Sequence, residues 1–262
     1  IASEEEVLGE RLSTFRIRVP HHRSDILGQS LAFVRFVLGV RKIVSGRKYD
    51  LVIATSSRLM TAALGAAIAR RNRCELVLDI RDLFVDMLDD LLDGWRAGLA
   101  HRIFRRVEKW AFKRARLINV VSAGFQDYFS ANYPEKIITV FPNGIDDEFM
   151  RIDPMSARSP ENRLPEILYA GNVGAGQNLH LVIPQLAERL RGKARFSIIG
   201  DGGRIEELKA AVEDSQLQDV ISIQPPIGRE DLIKRYMEAD VLFLHLNAHE
   251  AFHKVLPSKI FE

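Results

Sequence analysis

The chain has 262 residues, 47% of them hydrophobic and 27% charged, which excludes a disordered chain and allows two domains of ordinary size. Lysine and arginine number 37 against 35 aspartate and glutamate, so net charge gives no general argument for nucleic acid. No run approaches the roughly 18 uncharged residues of a membrane span, and one cysteine, Cys74, excludes an internal disulfide framework and fits a reducing compartment. No secretory pattern precedes Ile1, and Glu262 reads as part of a first helical turn, so the protein is expected to continue past both ends.

Residues 1–25 are charged and irregular and define no element. His21 and His22 are adjacent, poor geometry for joint metal ligation, and read as a solvated loop. Apolar residues at helical spacing, among them Leu31, Val34 and Leu38, predict a helix over 27–44 ending near Gly46. A buried parallel strand follows at 50–54 (DLVIA), then a helix at 59–70, a strand at 75–79 (ELVLD) and helical segments over 84–114. The first half closes with a strand at 117–121, a helix at 123–132 and a strand at 137–141. Strands alternating with helices imply a parallel sheet covered on both faces.

The segment 153–165, DPMSARSPENRLP, is rich in proline, serine and charge and reads as a linker between a domain of 1–152 and one of 166–262. The second series starts with ILYAGNVGAGQN at 167–178, a short apolar run that enters Gly171 and a loop holding Gly174 and Gly176. Such a strand-to-helix turn aims backbone N–H groups at one spot, which suits a diphosphate. The spacing is neither the dinucleotide fingerprint nor the P-loop, so a ligand-free tight turn stays open as the other reading. A helix to 191 follows, with Pro184 expected in its first turn, then a strand at 196–199 ending in Gly200-Asp201-Gly202-Gly203. Helix 205–214, strand 220–223, helix 231–237 and strand 241–246 complete the series. Two such βα series suggest two doubly wound domains facing across a cleft, with ligands at the carboxyl ends of the strands.

The last strand leads into HLNAHEAFHKVLPSKIFE. Pro257 can open a helical turn there, Ser258 and Lys259 can meet an anion at its N-terminus, and Glu262 lies one turn on. A carboxylate can hold vicinal ribose hydroxyls, and a lysine beside it suits a diphosphate. His245, His249 and His253 are spaced by four, but Pro257 and the strand interrupt any shared helix, so no metal site is expected. DMLDDLLD at 86–93 reads as a solvated face or loop. Within 95–116, cations mix with Trp95, Leu99, Ile103, Phe104, Val107, Trp110 and Phe112. The pattern fits either an ordinary domain helix with a charged outer face or a basic amphipathic helix on an anionic membrane. Nucleic acid is the weakest option, since no recognised motif accompanies the charge.

The succession YAGN, IIGDG, a proline pair after a strand, EADVLFLHL and VLPSKIFE resembles the retaining glycosyltransferases of family 4, with the GT-B fold of two Rossmann-like α/β domains. VLPSKIFE and AGNVGAGQNL, with LVLDIRDLF, VVSAGF and FPNGID in the first half, are similar to the bacterial branch that contains fucosamine transferases of O-antigen and capsule synthesis. The resemblance covers about residues 50 to 262. It implies that Gly171, Asn172 and Gly174 line the donor diphosphate, that Gly200, Asp201 and Gly202 lie beside the nucleotide, and that backbone near Pro225, Pro226 and Ile227 meets the base. Glu262 would hold the ribose, and Ser258 and Lys259 the phosphates. Asp79, Arg81, Asp82 and Asn143 would face the acceptor, the first three from a strand end and Asn143, beside Gly144, near the domain junction, with Asp79 and Arg81 also candidates for catalysis.

Two positions depart from the family pattern. Asn172 and Gln177 stand where it has an arginine and a lysine, and Lys254 stands where it has the first of two paired glutamates. A departing diphosphate gains negative charge, so the missing cations have to be replaced, and Lys254 and Lys259 are the candidates. The expected activity is transfer of a sugar, such as an N-acetylated deoxyhexosamine, from a UDP-linked donor to a lipid-linked saccharide. The expected place is the cytoplasmic face of the plasma membrane, with no metal and no other cofactor. A nucleotide-sugar epimerase of the same fold and a non-catalytic sugar-nucleotide-binding subunit are the alternatives.

Overall fold

The computed structural model describes residues 3–7, 12–19, 26–56, 58–83, 94–152, 163–248 and 250–261. Two compact units emerge, one of Ile1–Pro142 with His253–Leu256 and one of Asn143–Phe252 with Pro257–Glu262. The division thus falls at Pro142, ahead of 153–165. Residues 143–152 join the second unit because Arg229 binds them, pairing with Asp146, reaching Glu148 at 2.7 Å and lying 5.1 Å over the Phe149 ring.

The first unit begins with an antiparallel pair, β1 (Ser3–Val7) and β2 (Ser13–Ile17), where the sequence suggested only irregular chain. Its residues SEEEV and STFRI lack a clean apolar alternation, so periodicity could not reveal it. Helix α1 (Ile26–Val44) has nearly its expected bounds. Its stripe of Leu31, Val34 and Leu38 faces out, at 55%, 52% and 49% exposure, whereas Ala32 is buried. LAFVRFVLGV is apolar almost all round, so its period selects no face.

The parallel sheet of this unit consists of β3 (Leu51–Ser56), β4 (Glu75–Ile80), β5 (Leu117–Val120) and β6 (Ile137–Val140), in that order. Helix α2 (Leu59–Asn72) packs closely because its inner face is Ala62, Ala66 and Ala69, all buried. Helix α3 (Gly94–Arg114) contributes Ala111 and Phe112, and α4 (Gln126–Asn132) contributes Phe129. A 3-10 turn at Ala123–Phe125 starts what the sequence suggested as one helix. Phe112, Phe129 and Tyr133 meet at centroid distances of 5.3 to 6.0 Å, within the range favoured by aromatic rings. Segment 84–93, including the acidic run, lies outside the described residues, as do His21 and His22.

In the second unit, β7 (Glu166–Ala170), β8 (Arg195–Ile199), β9 (Ile221–Gln224) and β10 (Val241–Leu242) form a parallel sheet in the order β10-β7-β8-β9. Helices α6 (Leu179–Arg189) and α7 (Ile205–Asp214) cover one face, packing on Tyr169, Phe196 and Ile198. Helix α8 (Arg229–Glu238) covers the other over Leu168, Ala170 and Ile199. A one-turn helix, α5 (Asp147–Met150), precedes them in the chain.

Three expectations change here. Pro184 lies within α6, not in its first turn, so the carbonyl of His180 lacks its usual helical donor. Helix α8 begins at Arg229, two residues before the expected start. The strand expected over 241–246 pairs only at its first two residues, because after Phe243 donates to the Leu168 carbonyl at 2.8 Å the chain leaves the sheet for the loop after β7. No helix among the described residues is long and apolar enough to cross a membrane.

Candidate functional site

Strand order locates the site. From β7 the chain steps to β8 and β9 on one side and later returns to β10 on the other, so the strand order reverses at β7. The loop at the carboxyl end of β7 therefore stands at a topological switch point, where open α/β sheets leave a crevice for ligands. That loop is 171–178.

Two glycines allow the loops after β7 and β8 to interlock. Gly171 has φ +140°, and a Cβ there would lie 1.6 Å from Lys259 Nζ. Gly200 has φ +156°, and its Cβ would lie 1.9 Å from the Gly171 carbonyl oxygen. Only a residue without a side chain permits either approach. Lys259, in a 3-10 turn at Ser258–Phe261, thus rests on the bare backbone at the end of β7. Its ammonium lies 4.6 Å over the Tyr169 ring and 3.4 Å from the Tyr169 hydroxyl. Burial pushes that hydroxyl up to about 12, so at neutral pH it keeps its proton and donates to the Asn172 carbonyl at 2.6 Å.

The expected diphosphate amides are partly occupied within the fold. Gly171 N–H donates to the Ile199 carbonyl at 2.8 Å, Gly174 N–H to Gln177 Oε1 at 3.2 Å and Gly200 N–H to the Gln224 carbonyl at 3.0 Å. Gly202 N–H donates to Asp201 Oδ1 at 2.7 Å. Asn172 Nδ2 also donates to Gln177 Oε1 at 3.1 Å, so the two residues that replace family cations brace the loop. The positive charge at this spot comes from Lys259. The 243–252 segment straps the same loop: His245 Nδ1 lies 2.7 Å from the Gln177 carbonyl, Asn247 N–H donates to the Gly176 carbonyl at 2.8 Å, and the Phe252 ring closes on Gly176. The sequence assigned Tyr169, His245 and Phe252 no part in this loop, because their roles depend on contacts distant in the chain.

Other expected donor residues are more dispersed. Ile227 packs beneath α8 on Leu168 and Ala170, and Ser258 is exposed. Glu262 and His249 lie outside the described residues. Lys254 belongs to the first unit, its carbonyl accepting from Ser122 Oγ at 2.5 Å. Asn143, expected on the acceptor side, belongs to the second. A cavity of about 870 Å³ opens at the amino ends of β7 to β9, away from the glycine loops. Two of its three arginines face carboxylates, Arg163 with Asp240 at 3.1 Å and Arg235 with Glu166 at 2.5 Å.

In the first unit, the strand-end trio divides. Asp79 accepts from Asn119 Nδ2 at 2.6 Å and lies 3.5 Å from Arg81 Nε. Asn119 Oδ1 in turn accepts from Thr139 Oγ1 and Phe141 N–H, so Asp79 ties together the ends of β4, β5 and β6. Asp82 enters a narrow pocket with Arg58, Ile80, Glu108 and Phe112. Burial raises its pKa from 3.8 to about 6, against the opposing pull of the Arg81 charge. Ionising Asp82 therefore costs more in the folded protein than in the unfolded chain. Its contribution is complete below pH 4 and is lost as pH rises through 6. Asp82→Asn should raise stability by about 1 to 2 kcal/mol at pH 8, a figure reduced for partial exposure, and by nothing below pH 4. Thermal melts of both proteins across that range are the check; an equal gain at both pH values refutes the burial argument.

A parallel sheet with a glycine loop and a lysine at its switch point defines an open α/β protein of the doubly wound kind. Residues 2–144 match the glycosyl transferase 4-like domain family, and the chain belongs to that family. No curated protein sequence matches it. Its fold is shared with solved GT-B glycosyltransferases. Sucrose-phosphate synthase of Thermosynechococcus elongatus aligns at TM-score 0.66 and 14% identity, over 91% of this chain and 61% of that one. Anabaena HepE, solved with UDP and glucose, aligns at 0.56 and 16%, over 85% and 58%. The lipopolysaccharide outer core galactosyltransferase WaaB aligns at 0.51 and 15%, over 84% and 56%. The chain thus spans about three fifths of the length of these structures.

Proposed function

We propose that the protein is a retaining glycosyltransferase that moves a sugar from UDP to a lipid-linked saccharide in bacterial surface polysaccharide synthesis. The observation that carries this reading is Lys259 seated on Gly171 at the switch point of the second sheet. In the transfer, the bond from the anomeric carbon to the diphosphate oxygen breaks and its electron pair leaves with the diphosphate. An acceptor hydroxyl oxygen bonds to that carbon on the same face, and its proton passes to the departing diphosphate oxygen. Lys259 stabilises the charge gathering on the leaving group, and Lys254 is the second cation assigned to that role. The crystallised complex of HepE with UDP and glucose favours UDP as the donor nucleotide. The resemblance of 255–262 and 170–179 to the fucosamine-transferase branch favours an N-acetylated deoxyhexosamine as the sugar, and the same branch favours an acceptor at the inner face of the plasma membrane.

Thermal melts with UDP, GDP and their sugars test the donor. A ligand at a hundred times its Kd stabilises the folded state by about 2.7 kcal/mol, so UDP should raise Tm while GDP does not. A rise with GDP alone refutes the UDP assignment. No rise with any nucleotide refutes the donor site.

A further inference from the structure

We infer that the outer face of α3 docks on an anionic phospholipid bilayer. Arg102, Arg105, Arg106, Lys109, Lys113 and Arg114 are all exposed, and at 100° per residue they fall within one half of the helix circumference. Ile103 and Trp110, seven residues apart and so on one stripe, border these cations and remain 50% and 40% exposed. The opposite face is committed to the core, with Ala111 and Phe112 buried and Phe104 and Val107 packed against them.

The charge asymmetry is produced by tertiary contacts. Glu108 is the sole acidic residue of α3 and is only 3% exposed. It accepts hydrogen bonds from the hydroxyls of Tyr128 and Tyr133, the latter at 2.8 Å, and burial beside this carboxylate pushes the Tyr133 pKa upward. With its one carboxylate turned inward, the helix presents only positive charge to solvent. Among the described residues none of the six cations has a salt-bridge partner. An anionic headgroup layer complements this face, and the indole with the isoleucine suits the boundary between headgroups and acyl chains. A nucleic acid would use the cations but leave Ile103 and Trp110 in water.

This deepens the proposed function by naming the surface that would hold the protein beside a lipid-linked acceptor. Its test needs neither donor nor acceptor, so a docking failure and a donor-site failure are separate results. Trp95 and Trp110 are the only tryptophans, so Trp95→Phe leaves a single reporter. That protein is mixed with vesicles of phosphatidylcholine alone or of phosphatidylcholine with phosphatidylglycerol. On the anionic vesicles we expect co-sedimentation, a blue shift of Trp110 emission, quenching by brominated acyl chains and weakening with salt. Changing Arg102, Arg106 and Lys109 together to glutamine should lower partitioning about a hundredfold, about fivefold per charge, with Tm unchanged. Trp110→Ala alone should weaken binding several-fold. Equal partitioning of the triple variant, unshifted Trp110 emission, or tighter binding to duplex RNA than to the anionic vesicles at matched salt would overturn the inference.

Discussion

Gly200→Ala should lower the unfolding free energy by about 4 kcal/mol, the sum of a backbone strain of ~1 to 3 and an overpacking cost of ~1 to 3. The new methyl would lie 1.9 Å from the carbonyl oxygen of Gly171. That oxygen is part of the main chain at the end of β7, so no side-chain rotation relieves the clash. The two loops would have to separate, and the site with them. Gly171→Ala is the informative companion, because its methyl meets the end of the Lys259 side chain, which can swing away. It should cost about half as much in stability, mainly the strain of its positive φ, while displacing the lysine. Urea unfolding followed by circular dichroism ranks the two. A Gly171→Ala cost equal to or above that of Gly200→Ala would show that backbone interlocking does not hold these loops.

Lys259→Ala should lower turnover by about a hundredfold to a thousandfold, the usual loss when one preorganised donor to a developing anion is removed. Its ammonium meets the buried Tyr169, but Lys259 itself is only half-buried, so Tm should fall less than in Gly200→Ala. Lys259→Arg keeps the charge but enlarges the head against Gly171, and partial activity is expected. Release of UDP from a sugar nucleotide in the presence of acceptor is the measurement. Lys254→Ala is expected to lower turnover as well, through the loss of the second cation. Unchanged turnover in both alanine variants would remove the leaving-group role from this segment.

Much of the scaffold was legible in local patterns. Runs such as ELVLD, LINV and RFSII are apolar enough to be buried on both faces, and their spacing with amphipathic segments sets parallel strands and covering helices. Where the pattern was ambiguous, expectation failed for physical reasons. Helix α1 is apolar around most of its circumference, so its buried side could not be chosen in advance. The 241–246 run had strand composition, but pairing stops after Leu242 as the chain crosses to the loop at 174–178.

The candidate site divides in the same way. Gly171, Gly200 and Lys259 could be singled out from residue type and the motifs around them, because glycine after a strand and a lysine near a proline-started turn have few other uses. Their mutual contact could not, since Lys259 lies 88 positions after Gly171. Gln177 and Asn172 read as substitutes lacking charge, and only their hydrogen bond reveals them as braces.

By itself, then, the sequence determined the two βα series, the glycines at the strand ends and a lysine in the turn after Pro257, since composition and short-range spacing encode these. Only tertiary structure decided that β7 is the switch strand, that Lys259 rests on its end and that Glu108 turns inward to leave α3 wholly cationic outside. Those outcomes depend on which distant segments share a sheet edge or a core, and backbone pairing and burial settle that only when the whole chain packs.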